Sequence, residues 1–214
     1  MSLSVELIAQ DYRVLMEPSP PLQFMQDGAV SGEIYEIVSE AFEQANLSAN
    51  YEMYPWARAY IMALTAHGDT FISNIARTPE REDSFQWVAV VHVYDFALIS
   101  LQRLDFVKSL SDMGKLSIAV QRKDVSYEYL KSKGLGDNLF ITADITESWE
   151  LLSKGKVDFI VEDINILDEM SQKYLKQGQS IEFQLQLPEI KAEAWLAADL
   201  GVDIEIVNAL KKSL

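Results

Sequence analysis

Along this chain the apolar residues change their repeat again and again, from every second position to a period near 3.6 and back. A sequence that alternates those two periods builds alternating strands and helices, an α/β architecture, and fits neither a helical bundle nor an all-β sandwich. Strands are predicted near 5–9, 49–54, 70–75, 86–93, 116–121, 157–162, 180–187 and 192–197. Helices are expected over 57–66, 103–111, 125–133, 146–154, 163–177 and 203–212, with Gly68, Gly134, Gly155 and Gly178 as stops and Thr146 as one cap. An earlier helix is the clearest. Ser31 caps it, Glu33 sits near its positive end, Ile34, Ile37, Val38, Ala41 and Ala45 form one stripe, and Asn46 closes it.

Composition narrows the function classes. A chain of 214 residues holds one large domain or two small ones. Its net charge of −15 argues against nucleic acid or an anionic membrane as the main partner, since both are bound by Lys and Arg. The absence of cysteine removes disulfides and thiolate metal sites, and two distant histidines, His67 and His92, leave any metal to carboxylates. Neither a metal nor a cofactor is expected. The longest apolar run, Trp87 to Leu101, is broken by His92 and Asp95 and falls short of the roughly 20 residues that span a bilayer. Met1-Ser2-Leu3 reads as a start placed on a mature protein, so export with removal of a signal peptide fits the sequence.

Charge is unevenly placed. Residues 96–185 carry 11 basic and 14 acidic side chains, net −3, whereas the remainder carries 7 and 19, net −12. No lysine precedes Lys108, yet Arg13, Arg58, Arg77, Arg81 and Arg103 do. Keeping arginine while avoiding lysine suggests planar, bidentate contacts with carboxylates. Those carboxylates could belong to a ligand, or to neighbours such as Glu80 and Glu82 in ordinary ion pairs.

Pro55-Trp56-Ala57-Arg58-Ala59, then Gly68-Asp69, then Arg77-Thr78-Pro79-Glu80-Arg81-Glu82 follow one another at a familiar spacing. With Pro20-Pro21-Leu22, Gly32, the run from Gly114 to Gln121, and Gly155-Lys156-Val157-Asp158 before Glu162-Asp163, they give a chain that resembles the family 3 extracellular solute-binding proteins from about residue 18 to the end. That resemblance implies a type II periplasmic-binding-protein-like fold. Two α/β lobes are joined by two crossover strands, near 93–97 and 183–187, and a ligand is held in the cleft between them. Lobe one would comprise 1–95 and 186–214, and lobe two 96–185, which matches the charge partition. The family continues with another helix or two beyond the position of Leu214, so lobe one is expected to lack a final packing helix.

The resemblance also implies a site. The arginine ending Thr-x-x-Arg clamps a ligand carboxylate, and Arg81 takes that place after Thr78; Pro79 can open a following helix whose amides favour an anion. Backbone groups at Asn74 and Ala76 would flank the ligand, and Arg77 would contact it or Asp69. Asp163 stands where the family holds the ammonium, although an aspartate before Ile164 also serves as a plain helix cap. Trp56 stands where an aromatic ring meets the ligand side chain, and would otherwise pack on the lobe surface. Where relatives have small residues, this chain has Gln121-Arg122-Lys123-Asp124. Arg122 and Lys123 would contact an acidic ligand, fill the cleft, or sit solvated at its rim.

The function so implied is a monomeric, non-enzymatic periplasmic receptor. It would bind a small polar solute, an amino acid or related carboxylate, for uptake through a membrane ABC permease. The same cleft serves equally as the sensing input of a signalling partner. A dehydratase-type enzyme on this fold is the third reading; Glu17, Glu162 and Asp163 are the carboxylates available to it, and two scattered histidines assemble no Ser-His-Asp set.

Overall fold

The structure, a computed structural model, describes residues 11–214, apart from the side chains at 191 and 192. The strand expected over 5–9 lies outside the described residues. In chain order the elements are β1 (Asp11–Met16), a hairpin of β2 (Phe24–Gln26) and β3 (Ala29–Ser31), α1 (Glu33–Gln44), β4 (Ser48–Met53), α2 (Trp56–Leu64), β5 (Thr70–Ala76) and β6 (Gln86–Ser100). Then follow β7 (Ile118–Gln121), α3 (Val125–Ser132), β8 (Leu139–Thr142), α4 (Ile145–Ser153), β9 (Phe159–Asp163), α5 (Leu167–Tyr174), β10 (Glu182–Ala198) and α6 (Ile204–Ser213).

Eight strands form one sheet in the order β4-β1-β5-β10-β6-β9-β7-β8. The outer groups β4-β1-β5 and β9-β7-β8 are parallel, joined through helices, and the strands β5 and β9 that face the middle of the sheet are buried almost throughout. Between them the two longest strands, β6 and β10, pair antiparallel along their length. β10 meets β5 through Ala194–Ala198, and β6 meets β9 through Phe96–Ile99, so this ribbon crosses from one lobe to the other.

Helix α1 shows how the sequence writes these elements. Ile34, Val38, Ala41 and Phe42 are buried on one face, and Glu33 and Glu36 lie at the positive end. Its N-cap is Gly32 rather than Ser31, at φ 113°, and a Cβ there would come within 2.5 Å of the Leu22 carbonyl oxygen. The cap of α4 is Asp144, not Thr146, and accepts from the Glu147 amide. No α-helix forms over 103–111. The Gln184 side chain instead accepts from the Leu104 amide and donates to the Leu104 and Val107 carbonyls, so these backbone groups are satisfied from β10 and only Leu110–Asp112 coils as a 3-10 turn. The helix expected over 163–177 is a 3-10 turn at Ile164–Ile166 followed by α5. The strands expected at 180–187 and 192–197 are one strand, β10, whose register shifts between Gln186 and Lys191 around Pro188, which has no amide to donate. Helix α6 packs on α1 and β6.

Candidate functional site

Parallel strands deliver side chains to their carboxyl ends, and the carboxyl ends of β1, β5, β7 and β9 converge where the two lobes meet. A cavity of about 50 Å³ lies there. Glu17 follows β1, Asn74 lies on β5, Tyr94 and Phe96 lie on the crossing strand β6, Gln121 ends β7, and Glu162 lies on β9. The walls thus come from both lobes, and Gln121 Nε2 reaches across to Glu17 Oε2 at 3.5 Å.

The electrostatics of this cavity are acidic. Glu17 is buried, and desolvation, reinforced by the nearby Asp124, holds its carboxyl well above the usual carboxylate range, with Arg81 opposing. Burial likewise pushes Glu162 up to about 7, opposed by the hydrogen bonds it accepts from Trp149 Nε1 at 2.6 Å and the Asp163 amide at 2.9 Å. Asp124 caps α3 and accepts from Ser126. Asn74 is held at φ 61° and is 5% exposed; its Oδ1 accepts from the Tyr94 hydroxyl at 2.7 Å, while its Nδ2 is a buried donor with no acceptor among the described residues. Tyr94 is fixed by stacking on Phe96.

Beside this cavity is a larger groove of about 740 Å³, lined by Tyr60, Thr78, Arg81, Lys123, Tyr129 and Glu189 among others; Val125 borders both. Arg81 forms the partition. Its guanidinium lies over the rings of Trp56 and Tyr60, at 5.2 and 5.1 Å from their centroids, and donates to the carbonyls of Ala76 at 3.1 Å and Lys123 at 3.2 Å. Trp56 Nε1 donates to the same Lys123 carbonyl at 3.0 Å. Lys123 turns that carbonyl toward lobe one from a left-handed conformation, φ 62°.

The structure gathers Trp56, Ala76 and Thr78 around Arg81, places Thr78 and Arg81 in the groove and Asn74 in the cavity, and leaves Trp56 and Ala76 lining neither recess. Pro79 opens no α-helix; only a 3-10 turn, Glu82–Ser84, follows, too short to supply a helix terminus. Arg77 pairs with Glu82 and lies over Trp87 and Trp195, and Arg122 is exposed; neither lines either recess. Asp163 is fully buried and caps the turn at Ile164. Its Oδ2 bonds His92 Nε2 at 2.7 Å, and its Oδ1 accepts from the Asp95 and Asn165 amides and from Asn165 Nδ2. Tyr94 and Ser126 belong to the cavity but carry no distinctive local pattern. The sequence offered Glu17 and Glu162 only as carboxylates available to an enzyme, and predicted no strand ending at Glu17.

Two α/β lobes on a shared sheet, bridged by two long strands around a polar interlobe cavity, define a periplasmic-type binding protein. The model of the bacterial extracellular solute-binding proteins, family 3, matches residues 12–124, and the chain belongs to that family. An ancestral arginine-binding protein bound to arginine shares the fold with a TM-score of 0.81 at 16% identity, over 95% of this chain and 90% of that one. An amino acid ABC transporter substrate-binding protein from Streptococcus pneumoniae, bound to L-arginine, gives 0.79 at 14% identity over 95% and 87%. A histidine kinase sensor domain with similarity to periplasmic binding proteins gives 0.78 at 16% over 94% and 88%. At such identities the likeness carries the fold alone. No curated protein matches in sequence. Among the described residues no helix is long and apolar enough to cross a membrane.

Proposed function

We propose that the protein is a non-enzymatic, monomeric periplasmic receptor that closes its two lobes on a small polar solute, an amino acid or related carboxylate, and presents it to a membrane ABC permease. The observation that carries this reading is the buried Asn74 amide, a donor without an acceptor among the described residues, in the lining of a cavity walled by both lobes. A solute there satisfies Asn74 and joins the lobes in one step. Asn74 contacts the solute; Ala76, Thr78, Arg81 and Trp56 form the wall that closes beside it; Asp163 positions the β6–β9 junction through His92 and the Asp95 amide. Arg77 and Arg122 are assigned no contact.

Neither histidine lines the cavity, so no imidazole is placed for proton transfer there. The sensor reading uses the same cleft and is supported by the similar sensor domain of a histidine kinase; reconstitution with a permease, giving solute-dependent uptake, separates the two. The direct test is a thermal-melt screen against amino acids, their amides and alcohols, and dicarboxylates. A solute at 100 times its Kd adds about 2.7 kcal/mol, an upward shift of roughly 5–10 °C for a chain of this size. A panel with no shift at all overturns the receptor reading.

A further inference from the structure

Glu17 stands on the lobe-one side of the interlobe cavity with its carboxyl buried against lobe two. Gln121 Nε2 reaches its Oε2 at 3.5 Å, the outer limit of a hydrogen bond, and Asp124, Val125 and Ser126 line the same space. The charges facing Glu17 are mostly of its own sign. Asp124 and Asp144, the caps of α3 and α4, act on it from lobe two; Glu162 lines the cavity from β9, and Tyr94 faces it from the crossing strand β6. Arg81 is the opposing cation, and its guanidinium is committed to the Ala76 and Lys123 carbonyls. Among the described residues no Lys or Arg side chain lines the cavity. An ionised carboxylate in this place would be stripped of water without gaining an ion pair, so burial holds Glu17 toward its neutral form.

Glu162 lies in the same cavity but differs in what surrounds it. Both of its oxygens accept from its own lobe, from Trp149 Nε1 and the Asp163 amide, so these partners travel with it when the lobes part. The contacts of Glu17 with Gln121 and Asp124 do not. On opening, Glu17 stays with lobe one, leaves both behind and meets water, where a carboxyl ionises in its ordinary range.

We infer that closing the lobes takes up a proton at Glu17, so that the cleft shuts in mild acid and loosens as the pH rises. Opening breaks the carboxyl O–H bond, gives the proton to water and leaves a solvated carboxylate on lobe one. Because the closed form binds one proton more than the open form, the open-to-closed ratio rises about tenfold per pH unit above the 4.5 of an exposed glutamate, until the closed form ionises as well. The coupling lies between the lobes themselves and holds whichever solute the cavity takes. A receptor built this way holds its solute in acid and releases it toward neutral pH.

An interlobe distance tests this. The chain has no cysteine, so Glu80→Cys in lobe one and Ser132→Cys in lobe two, both exposed positions lining the groove, accept a pair of fluorophores at defined places. Without added solute, energy transfer is expected to fall between pH 5 and pH 8, and to stay at its pH 5 level in the same protein carrying Glu17→Gln, whose amide never ionises. Glu162→Gln keeps the fall. Asp124→Asn still caps α3 but removes a repelling charge, and is expected to reduce the change in the open-to-closed ratio at least threefold. Energy transfer that is the same at pH 5 and pH 8 overturns the inference, and so does an equal fall with Glu17→Gln, which places the titrating group elsewhere. If circular dichroism shows Glu17→Gln unfolded, Asp124→Asn decides alone, and an undiminished fall overturns the assignment.

Discussion

The two recesses at the lobe interface share a wall and differ in almost everything else. The cavity is small and lined by acids, with Glu17 and Glu162 carboxyls that burial drives toward their neutral forms. The groove is some fifteen times larger, and Arg81 and Lys123 line it beside Glu80, Glu128 and Glu189. Both recesses carry acids, but of the two only the groove is lined by Lys or Arg side chains. The arginine that the family motif assigns to a ligand carboxylate here holds a backbone carbonyl of the opposite lobe, so it acts on lobe closure before it acts on any solute. A motif thus fixes where a guanidinium stands, whereas the loop facing it decides what that guanidinium holds.

The largest effect expected from breaking this arrangement comes from Arg81→Ala. It removes two charge-assisted hydrogen bonds from a buried group together with its stacking on Trp56 and Tyr60. A stability loss of about 3–5 kcal/mol is expected, read by denaturant titration, with an increased radius of gyration in small-angle scattering as the lobes part. Arg81→Lys should recover little, because an ammonium cannot span both carbonyls while lying flat between two rings. An unchanged radius of gyration would show that the partition does not hold the lobes together.

Glu162 marks the acidic side of the comparison. Its folded value, about 7, lies above the 4.5 of an exposed glutamate. The neutral form's stabilising contribution is complete below about pH 4.5 and is lost as pH rises through 7, a change of the order of 3 kcal/mol. Between pH 5 and 8 the unaltered protein should therefore lose stability relative to Glu162→Gln, whose amide never ionises. Parallel pH profiles for the two proteins would place the charge elsewhere. Trp56→Phe is a finer cut. It keeps the ring and deletes one donor to Lys123, so about 1 kcal/mol and a modest shift toward open lobes are expected in the same two measurements.

How much of this could be read from the sequence depends on whether side chains or backbone carry the feature. Periodicity marked α1, β5 and β9, because burial on one face or two writes itself into the spacing of Ile34, Val38 and Phe42 or the run from Phe159 to Val161. The family motif singled out Trp56 and Arg81, which lie against each other, and Asn74, which lines the cavity. Local pattern failed where distant groups intervened. Residues 103–111 have helical spacing, but Gln184, some eighty positions away, takes their backbone groups. Strand β8 was missed because Phe140 and Ile141 are exposed and its four residues show no alternation. The key acceptor in the partition is the carbonyl of Lys123, and a carbonyl has no sequence signature; only the left-handed backbone there turns it toward Arg81.

The smallest effect belongs to Arg77, four positions before Arg81 in the same loop, and it makes the sharpest control. Arg77 is partly exposed, pairs with the exposed Glu82, and lies over Trp87 and Trp195 on the outer side of lobe one. Water screens such a pair, and Trp87 Nε1 still donates to the Glu82 carbonyl when the guanidinium is gone. Arg77→Gln should leave the melting temperature within about 2 °C of the unaltered protein, with the radius of gyration and every solute-induced shift unchanged. If Arg77→Gln instead opened the lobes as Arg81→Ala is expected to, closure would be governed by the whole loop and not by the single guanidinium that reaches Lys123.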